Sequence, residues 1–385
     1  QMAETGIRFA HTRAQSTWTK SSMASLWTGV QPFAAQITDF THALDDSVVL
    51  PAERLRAAGF RTAGFYRNAW IAPNFGFGQG FDFYLFPTPN LTPDRLEQNA
   101  PGKAGLDGSD YDLTEIALEF LRAHGHERFF LYLHAMDLHQ YKYESDSALF
   151  GTRYVDAYDN AIHWTDRNVG LLIAELMELD LLEETIVVVA SDHGEEFQEH
   201  GGEGHARNLY RETTEVPLIV SLPFALAEPV VVESWVENND IWPTLFDLLG
   251  LEPMEHHPGR SLVPAIEAAA AGEEDPEAAR PVMAQINVNW GRDVPEKRLV
   301  SLTQGSWRLI FDPEDPQASA ELYDLATDPR EQENLASQRP EQVAELLGPA
   351  QRLLARTPEA SLSKDVEVDE LQLQQLRALG YVVEK

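Results

Sequence analysis

Four short segments of this chain gather the side chains that could do chemistry. The first, Ser16-Thr17-Trp18-Thr19-Lys20-Ser21-Ser22, leads into Met23-Ala24-Ser25-Leu26-Trp27-Thr28-Gly29 and reads as hydroxyl residues entering a helix near Ser22. Such residues are favoured as helix N-caps, which is one reading. The other is a nucleophile at a helix N-terminus, where unpaired N–H groups and the helix dipole favour an incoming anion. A threonine hydroxyl is a weak nucleophile until a base or metal activates it, so the second reading demands a metal nearby. Ser191-Asp192-His193-Gly194-Glu195-Glu196 offers half of a divalent-cation site, or alternatively a surface turn. The third and fourth segments are His134-Ala135-Met136-Asp137-Leu138-His139 and Glu199-His200-Gly201-Gly202-Glu203-Gly204-His205. With His193 they hold five of the chain's twelve histidines, a concentration that scattered surface roles explain poorly.

These segments need elements to hold them. The run Thr185–Ser191, with consecutive β-branched residues, predicts a parallel strand covered on both faces and ending at Asp192. Arg128–His134 predicts a buried strand after a helix over Leu113–Ala123. Apolar residues at Ile162, Val169, Leu172, Ile173 and Leu176 have helical spacing and predict a helix over Tyr158–Leu179. Val216–Val220 predicts a further strand. Strands alternating with helices imply an α/β fold, a doubly wound, mostly parallel sheet, over residues 1–290. Ligands of such sheets sit beyond strand C-termini, so Thr19, Asp192, His193, His139 and His205 are expected in one cleft there.

After an Ala/Glu-rich exposed helix or linker over Ala268–Pro281, the pattern changes. Arg298–Leu302, Trp307–Phe311 and Glu321–Leu325 read as antiparallel strands, the first two joined at Gln304-Gly305, followed by a helix over Pro340–Leu354. Residues 291–385 are therefore expected to form a small antiparallel sheet-plus-helix subdomain, with a last short helix over Leu371–Leu379.

The 385 residues carry 29 basic and 62 acidic side chains, a net charge of −33, which excludes a nucleic-acid binder and docking on anionic lipid. With 43% hydrophobic and 24% charged residues the chain has globular composition. It has no cysteine, hence no disulfide, thiolate ligand or cysteine nucleophile. No apolar run approaches the roughly 18 residues that would span a membrane.

In this order the segments resemble the sulfatase branch of the alkaline phosphatase superfamily. The family's signature has a nucleophile, two residues, Ser, Arg and then Ala-Ser-Leu-x-Thr-Gly; Ala24–Gly29 matches its end and sets Thr19 at the nucleophile position. Ala58–Gly64 with Gly80-Phe81-Asp82, Asp192-His193-Gly194-Glu195, Val216–Val220, Asn239–Leu245 and Gly259–Leu262 resemble successive later blocks. Trp307–Ile310, Glu321–Leu325 and Asp328-Pro329 resemble the C-terminal sheet.

The resemblance implies a hydrolase of sulfate or phosphate esters with one divalent cation (Zn²⁺, Mn²⁺ or Ca²⁺). It assigns the nucleophile and a metal ligand to Thr19, further ligands to Asp192 and His193, and contacts with the ester or its leaving oxygen to His139 and His205. Arg67 and Asn68 become substrate-binding candidates, and His134 and His200 supporting hydrogen-bonding residues. The substrate would be a small-molecule, glycan-linked or lipid-linked anionic ester, whose alcohol half loops such as Phe86–Asp110 select. An extracytoplasmic location follows from the resemblance alone.

The departures are specific. Family sulfatases convert a cysteine or serine to formylglycine, whereas threonine has a methyl group on Cβ and cannot yield that aldehyde. Met23 replaces the arginine, Ser21 the proline, and Tyr66-Arg67-Asn68-Ala69 the motif Gly-Lys-Trp-His. Threonine favours phosphoryl transfer, and His193, where many sulfatases have asparagine, favours an ion that accepts imidazole. The family's first strand, bearing acidic metal ligands, is expected upstream of Met2, which makes an N-terminally incomplete copy with part of its ligand set missing. The rival reading is a catalytically silent sulfatase-fold binding protein.

Overall fold

The computed structural model describes residues 2–87, 108–224, 226, 228–254, 257–292, 294–358, 361–368, 373, 374 and 376. In chain order the main elements are β1 (Ile7–Arg13), α1 (Thr19–Thr28), β2 (Arg61–Tyr66), β3 (Phe83–Leu85), α2 (Asp110–His124), β4 (Phe129–His134) and α3 (Tyr154–Glu178). There follow β5 (Val187–Ala190), β6 (Glu196–Phe197), β7 (Glu203–Gly204), β8 (Glu215–Ser221), β9 (Val230–Glu237), α4 (Ile241–Leu248) and α5 (Val263–Ala271). The C-terminal elements are β10 (Val282–Asn287), β11 (Arg298–Gln304), β12 (Trp307–Phe311), β13 (Glu321–Asp324) and α6 (Pro340–Leu354). The architecture is α/β with a small antiparallel sheet. Among the described residues no helix is long and apolar enough to cross a membrane.

The chain forms two compact units, one of residues up to Val48 with Ile186–Asp365, the other of Val49–Thr185 with the described part of Val366–Val383. The first holds a mixed sheet in the order β9-β1-β8-β5. β1 runs parallel to β9, Ile7 opposite Val230, and antiparallel to β8, Ile7 opposite Val220. Its buried Ile7 and Phe9 alternate with Arg8, the period of a half-covered strand.

The sequence misplaces one strand here. β5 is antiparallel to β8, lies at the edge of the described sheet and is only half-buried, not a parallel strand covered on both faces. A β-branched run specifies extended backbone; direction and cover come from partners far along the chain.

The antiparallel sheet, order β10-β11-β12-β13, starts already at Val282, ahead of the division expected at 290/291. Leu302 pairs with Leu309 across a two-residue turn in which Gly305 takes φ 58°. Val300, Leu302, Leu309, Phe311 and Leu322 pack on Val343, Leu346 and Leu347 of α6. The linker expected over Ala268–Pro281 contains the end of α5 and turns.

The second unit holds the parallel sheet β3-β2-β4. Ala63 and Phe65 pack on Leu113, Ile116, Ala117 and Phe120 of α2. β4 pairs only with β2 among the described strands and is half-buried, which corrects the expected buried strand. In α3 the buried face is Ala161, Trp164, Asn168, Glu175 and Leu176, while Ile162 is 45% exposed. The apolar spacing found the helix but missed polar residues that pack through partners: Glu175 takes two 2.7 Å bonds from Arg122. The expected helix over Leu371–Leu379 and most of loop Phe86–Asp110 lie outside the described residues.

Candidate functional site

α1 begins at Thr19, earlier than the expected Ser22. Its N-cap is Trp18, which makes no capping side-chain bond, so the hydroxyl run is not a capping motif. The whole helix is buried, and Gly29 ends it at φ 75° with its N–H on the Ser25 carbonyl. The hydroxyls bond outward to other segments: Thr17 to the Asn208 carbonyl (2.9 Å), Ser21 to the Ile37 carbonyl (2.5 Å) and Ser22 to the Asp192 carbonyl (2.5 Å). Thr19 Oγ1 meets an imidazole nitrogen, His193 Nε2, at 3.1 Å.

The protonation pattern follows. His193 Nδ1 lies 2.9 Å from the Gly194 carbonyl, an acceptor only, so Nδ1 carries the proton. Nε2 then presents its lone pair, and the Thr19 hydroxyl donates to it. Burial lowers the His193 pKa, Asp192 opposes that and His205 adds to it. Asp192 Oδ2 is 3.5 Å from the same nitrogen. His205 stacks on His193 with ring centroids 4.2 Å apart, and its Nδ1 is 3.0 Å from Glu195 Oε2. The first unit thus brings together Thr19, Asp192, His193 and His205.

The loop carrying His205 is fixed by a buried carboxylate. Glu196 accepts from the backbone N–H groups of His200 (3.1 Å) and Gly202 (2.8 Å) and from the Asn208 side chain (2.6 Å). His200 bridges Glu212 through Nδ1 (2.7 Å) and the Glu331 carbonyl through Nε2 (2.9 Å) and stacks on Tyr210. Burial works against its charge, but the Glu331 carbonyl and the Glu212 carboxylate outweigh it and raise the pKa. Glu196, His200 and Glu212 lie close enough to hold an ion. Their donors and acceptors are already engaged with one another and with backbone, which makes the group a structural knot. A groove of about 790 Å³ in the same unit, lined by Arg8, Arg211, Glu215 and Pro329 among others, includes none of the four clustered residues.

The remaining predicted residues belong to the second unit. Arg67 is 3% exposed; its guanidinium bonds Asp137 (2.6 Å), Asp110 (3.4 Å) and the Gly108 carbonyl (2.7 Å), so its charge is consumed inside. Asn68 is buried and caps a short turn by accepting from Trp70 N (2.9 Å). His134 Nδ1 meets the Tyr132 hydroxyl (2.9 Å), and His139 is half-buried in the turn after β4. Sequence reasoning gave no role to Glu195, Glu196 or Asn208. Glu195 stands two residues after His193, but only the fold brings it to His205.

The family model described as Sulfatase matches residues 1–251, and that described as N-sulphoglucosamine sulphohydrolase, C-terminal, matches residues 199–355. Arylsulfatase K of Mus musculus is 32% identical over 179 residues, 46% of this chain and 31% of its own length. A choline-sulfatase of Rhizobium meliloti is 31% identical over 183 residues, 47% of this chain and 32% of its own. The matches span about a third of the length of these curated relatives. A solved structure in complex with its substrate D-glucosamine-2-N,6-O-disulfate has a TM-score of 0.69 at 20% identity, covering 91% of each chain. A phosphonate monoester hydrolase from Silicibacter pomeroyi has a TM-score of 0.71 at 16% identity, covering 95% of this chain and 93% of its own. These structural likenesses establish the fold.

Proposed function

The chain belongs to the sulfatase family, and from that premise we propose that it hydrolyses anionic esters, with the Thr19 hydroxyl attacking the sulfur or phosphorus. The observation that carries this reading is the 3.1 Å contact of Thr19 Oγ1 with His193 Nε2 at the start of a buried helix, beside Asp192. The donor set fits the divalent cation the family implies: a hydroxyl oxygen, a carboxylate oxygen and an imidazole lone pair face one another at 3.1 and 3.5 Å around Nε2. One imidazole with oxygen donors suits Zn²⁺ or Mn²⁺ better than Ca²⁺. Bound there, such a cation would lower the hydroxyl pKa and neutralise charge on the ester.

Thr19 Oγ1 bonds the phosphorus as the P–O bond to the alcohol breaks, and the proton that the hydroxyl loses leaves on the alcohol oxygen. Water then cleaves the phosphothreonine, restoring the hydroxyl and releasing phosphate. His205, when protonated, donates from Nε2 to oxygens on which charge develops. Phosphate esters are the preferred class, because oxidation of threonine cannot give formylglycine and a sulfated threonine lacks the hydrate's route for expelling sulfate. The relatives named for arylsulfatase and choline-sulfatase activity, and the neighbour holding a sulfated glucosamine, support a small-molecule or glycan-linked anionic ester. The test is kcat/KM for matched aryl phosphate and aryl sulfate esters in the presence of Zn²⁺ or Mn²⁺, with Thr19→Ala as control. Phosphatase activity should exceed sulfatase activity, and Thr19→Ala should abolish both. Activity that survives in Thr19→Ala would overturn the nucleophile, and a faster sulfatase reaction would overturn the preference.

A further inference from the structure

We infer that Glu195 is a positioning residue for the hydrolytic site: its carboxylate holds the proton of His205 on Nδ1 and turns Nε2 toward the ester. This rests on the ester-hydrolase reading for its consequence, though not for its geometry.

The Glu195 and His205 side chains are 8% and 9% exposed and meet at 3.0 Å. A carboxylate oxygen accepts, so the imidazole nitrogen facing it at 3.0 Å carries hydrogen. The His205 ring stacks on His193 with centroids 4.2 Å apart. Glu195 is itself anchored through the backbone. Gly194 N and Glu195 N bond the carbonyls of Thr213 (2.9 Å) and Glu212 (3.0 Å), and a Cβ on Gly194 would collide with the Glu212 carbonyl. On the other side Gly204, at φ 89°, brings the chain to within 3.3 Å of Glu195 Oε1 at the point where a Cβ would stand. The spacing of the motif acquires a reason: His193 bonds the nucleophile, and Glu195, two residues on, orients the imidazole stacked upon His193. With Nδ1–H held by Glu195, the proton that His205 takes up goes on Nε2, and a donor fixed toward a reacting oxygen would raise the rate of the chemical step more than substrate affinity.

Two readouts test this. The first needs no substrate: side-chain ¹⁵N NMR at pH 9, with His205 identified by its loss in His205→Gln. In the wild-type protein Nδ1 should show the protonated type and Nε2 the lone-pair type; Glu195→Gln, which still accepts, should keep this pattern and Glu195→Ala should lose it. Wild-type His205 protonated on Nε2, or a pattern unchanged in Glu195→Ala, would overturn the proposal whatever the enzyme does. The second readout is kinetic, on the ester that wild type turns over. Glu195→Ala should lower kcat about ten- to a hundredfold with KM within about twofold, and Glu195→Gln should recover most of the loss. Adding Glu195→Ala to His205→Ala should cost nothing further, whereas an additive loss would refute positioning. If no ester is turned over, the functional reading fails while the NMR result still decides the geometry.

Discussion

Replacing Glu331 by glutamine tests how firmly the loop bearing His205 is tied to the C-terminal sheet. Glu331 and Arg308 form an ion pair at 2.9 Å with both side chains fully closed to solvent. The other carboxylate oxygen accepts from Arg211 N (2.9 Å), and the Glu331 carbonyl receives His200 Nε2 (2.9 Å). Arg308 also reaches Thr214 Oγ1 (2.9 Å) and the Leu209 carbonyl. A second buried guanidinium, Arg13, stands close by; burial and the repulsion of Arg308 lower its pKa to about 9, against the attraction of Glu215 and Glu331. Glu331→Gln keeps the shape but turns one of two accepting oxygens into a donor and leaves two buried cations short of one anion. Breaking a buried pair from one side costs about 3–5 kcal/mol, because the remaining charge stays desolvated. For a unit of this size that lowers Tm by roughly 6–20 °C in differential scanning calorimetry. The companion variant Arg308→Met/Glu331→Leu removes both charges and should lie above Glu331→Gln in Tm. A Glu331→Gln protein within about 1 °C of wild type, or a double variant less stable than the single, would refute this account.

Two further outcomes follow from the same kind of accounting. His257 presses on Gly29, where a Cβ would lie 2.5 Å from its ring, its Nε2 finds no hydrogen-bond partner among the described residues, and burial lowers its pKa to about 4. The unfolded chain therefore binds this proton first, so stability is intact above about pH 6.5 and falls as pH drops toward 4, by at most about 3 kcal/mol; urea midpoints should lose that slope in His257→Gln, and an unchanged slope would rule His257 out. Calorimetric titration with Zn²⁺, Mn²⁺ or Ca²⁺ should show weak binding that Asp192→Asn removes, since Thr19, Asp192 and His193 supply fewer than the roughly four donors of a stable site; tight one-to-one binding would mean that further ligands exist.

Elements whose signal is local were legible. α6 occupies the residues its pattern predicts, Pro340–Leu354, and the hairpin of β11 and β12 turns at Gly305 as its glycine suggests. Elements whose identity depends on distant partners were not. β1 ends in Ala-His-Thr-Arg, which reads as polar loop, yet Arg13 is fully buried because Thr214 and Thr303, far along the chain, bond its guanidinium. β9 and β10 also escaped notice, though Val230–Val232 and Val282–Ile286 carry β-forming residues. Spacing and family likeness pointed to Thr19, Asp192, His193 and His205, and the fold brings these four together. Arg67 could not be judged that way: a lone arginine in sequence reads as a substrate contact, and only its buried bonds to Asp137 and Asp110 show the charge already spent.

The geometry of one helix excludes the capping reading of the hydroxyl run. Residues three apart on an α-helix share a face, so Thr19 and Ser22 look the same way. Ser22 bonds the Asp192 carbonyl and Thr19 bonds the next residue's imidazole, His193 Nε2. Ser22 thus fixes the backbone that carries two of the candidate ligands relative to the hydroxyl that would attack. A capping hydroxyl would instead turn back on the first N–H groups of its own helix, and here Ser22 N bonds the Trp18 carbonyl within the helix ladder. A surface turn at Asp192-His193 would leave both side chains in water, whereas they are 17% and 9% exposed. Each bland reading of a segment, taken alone, predicts a partner close in sequence. The partners found lie 170 and 174 residues away, and they are the other segment's.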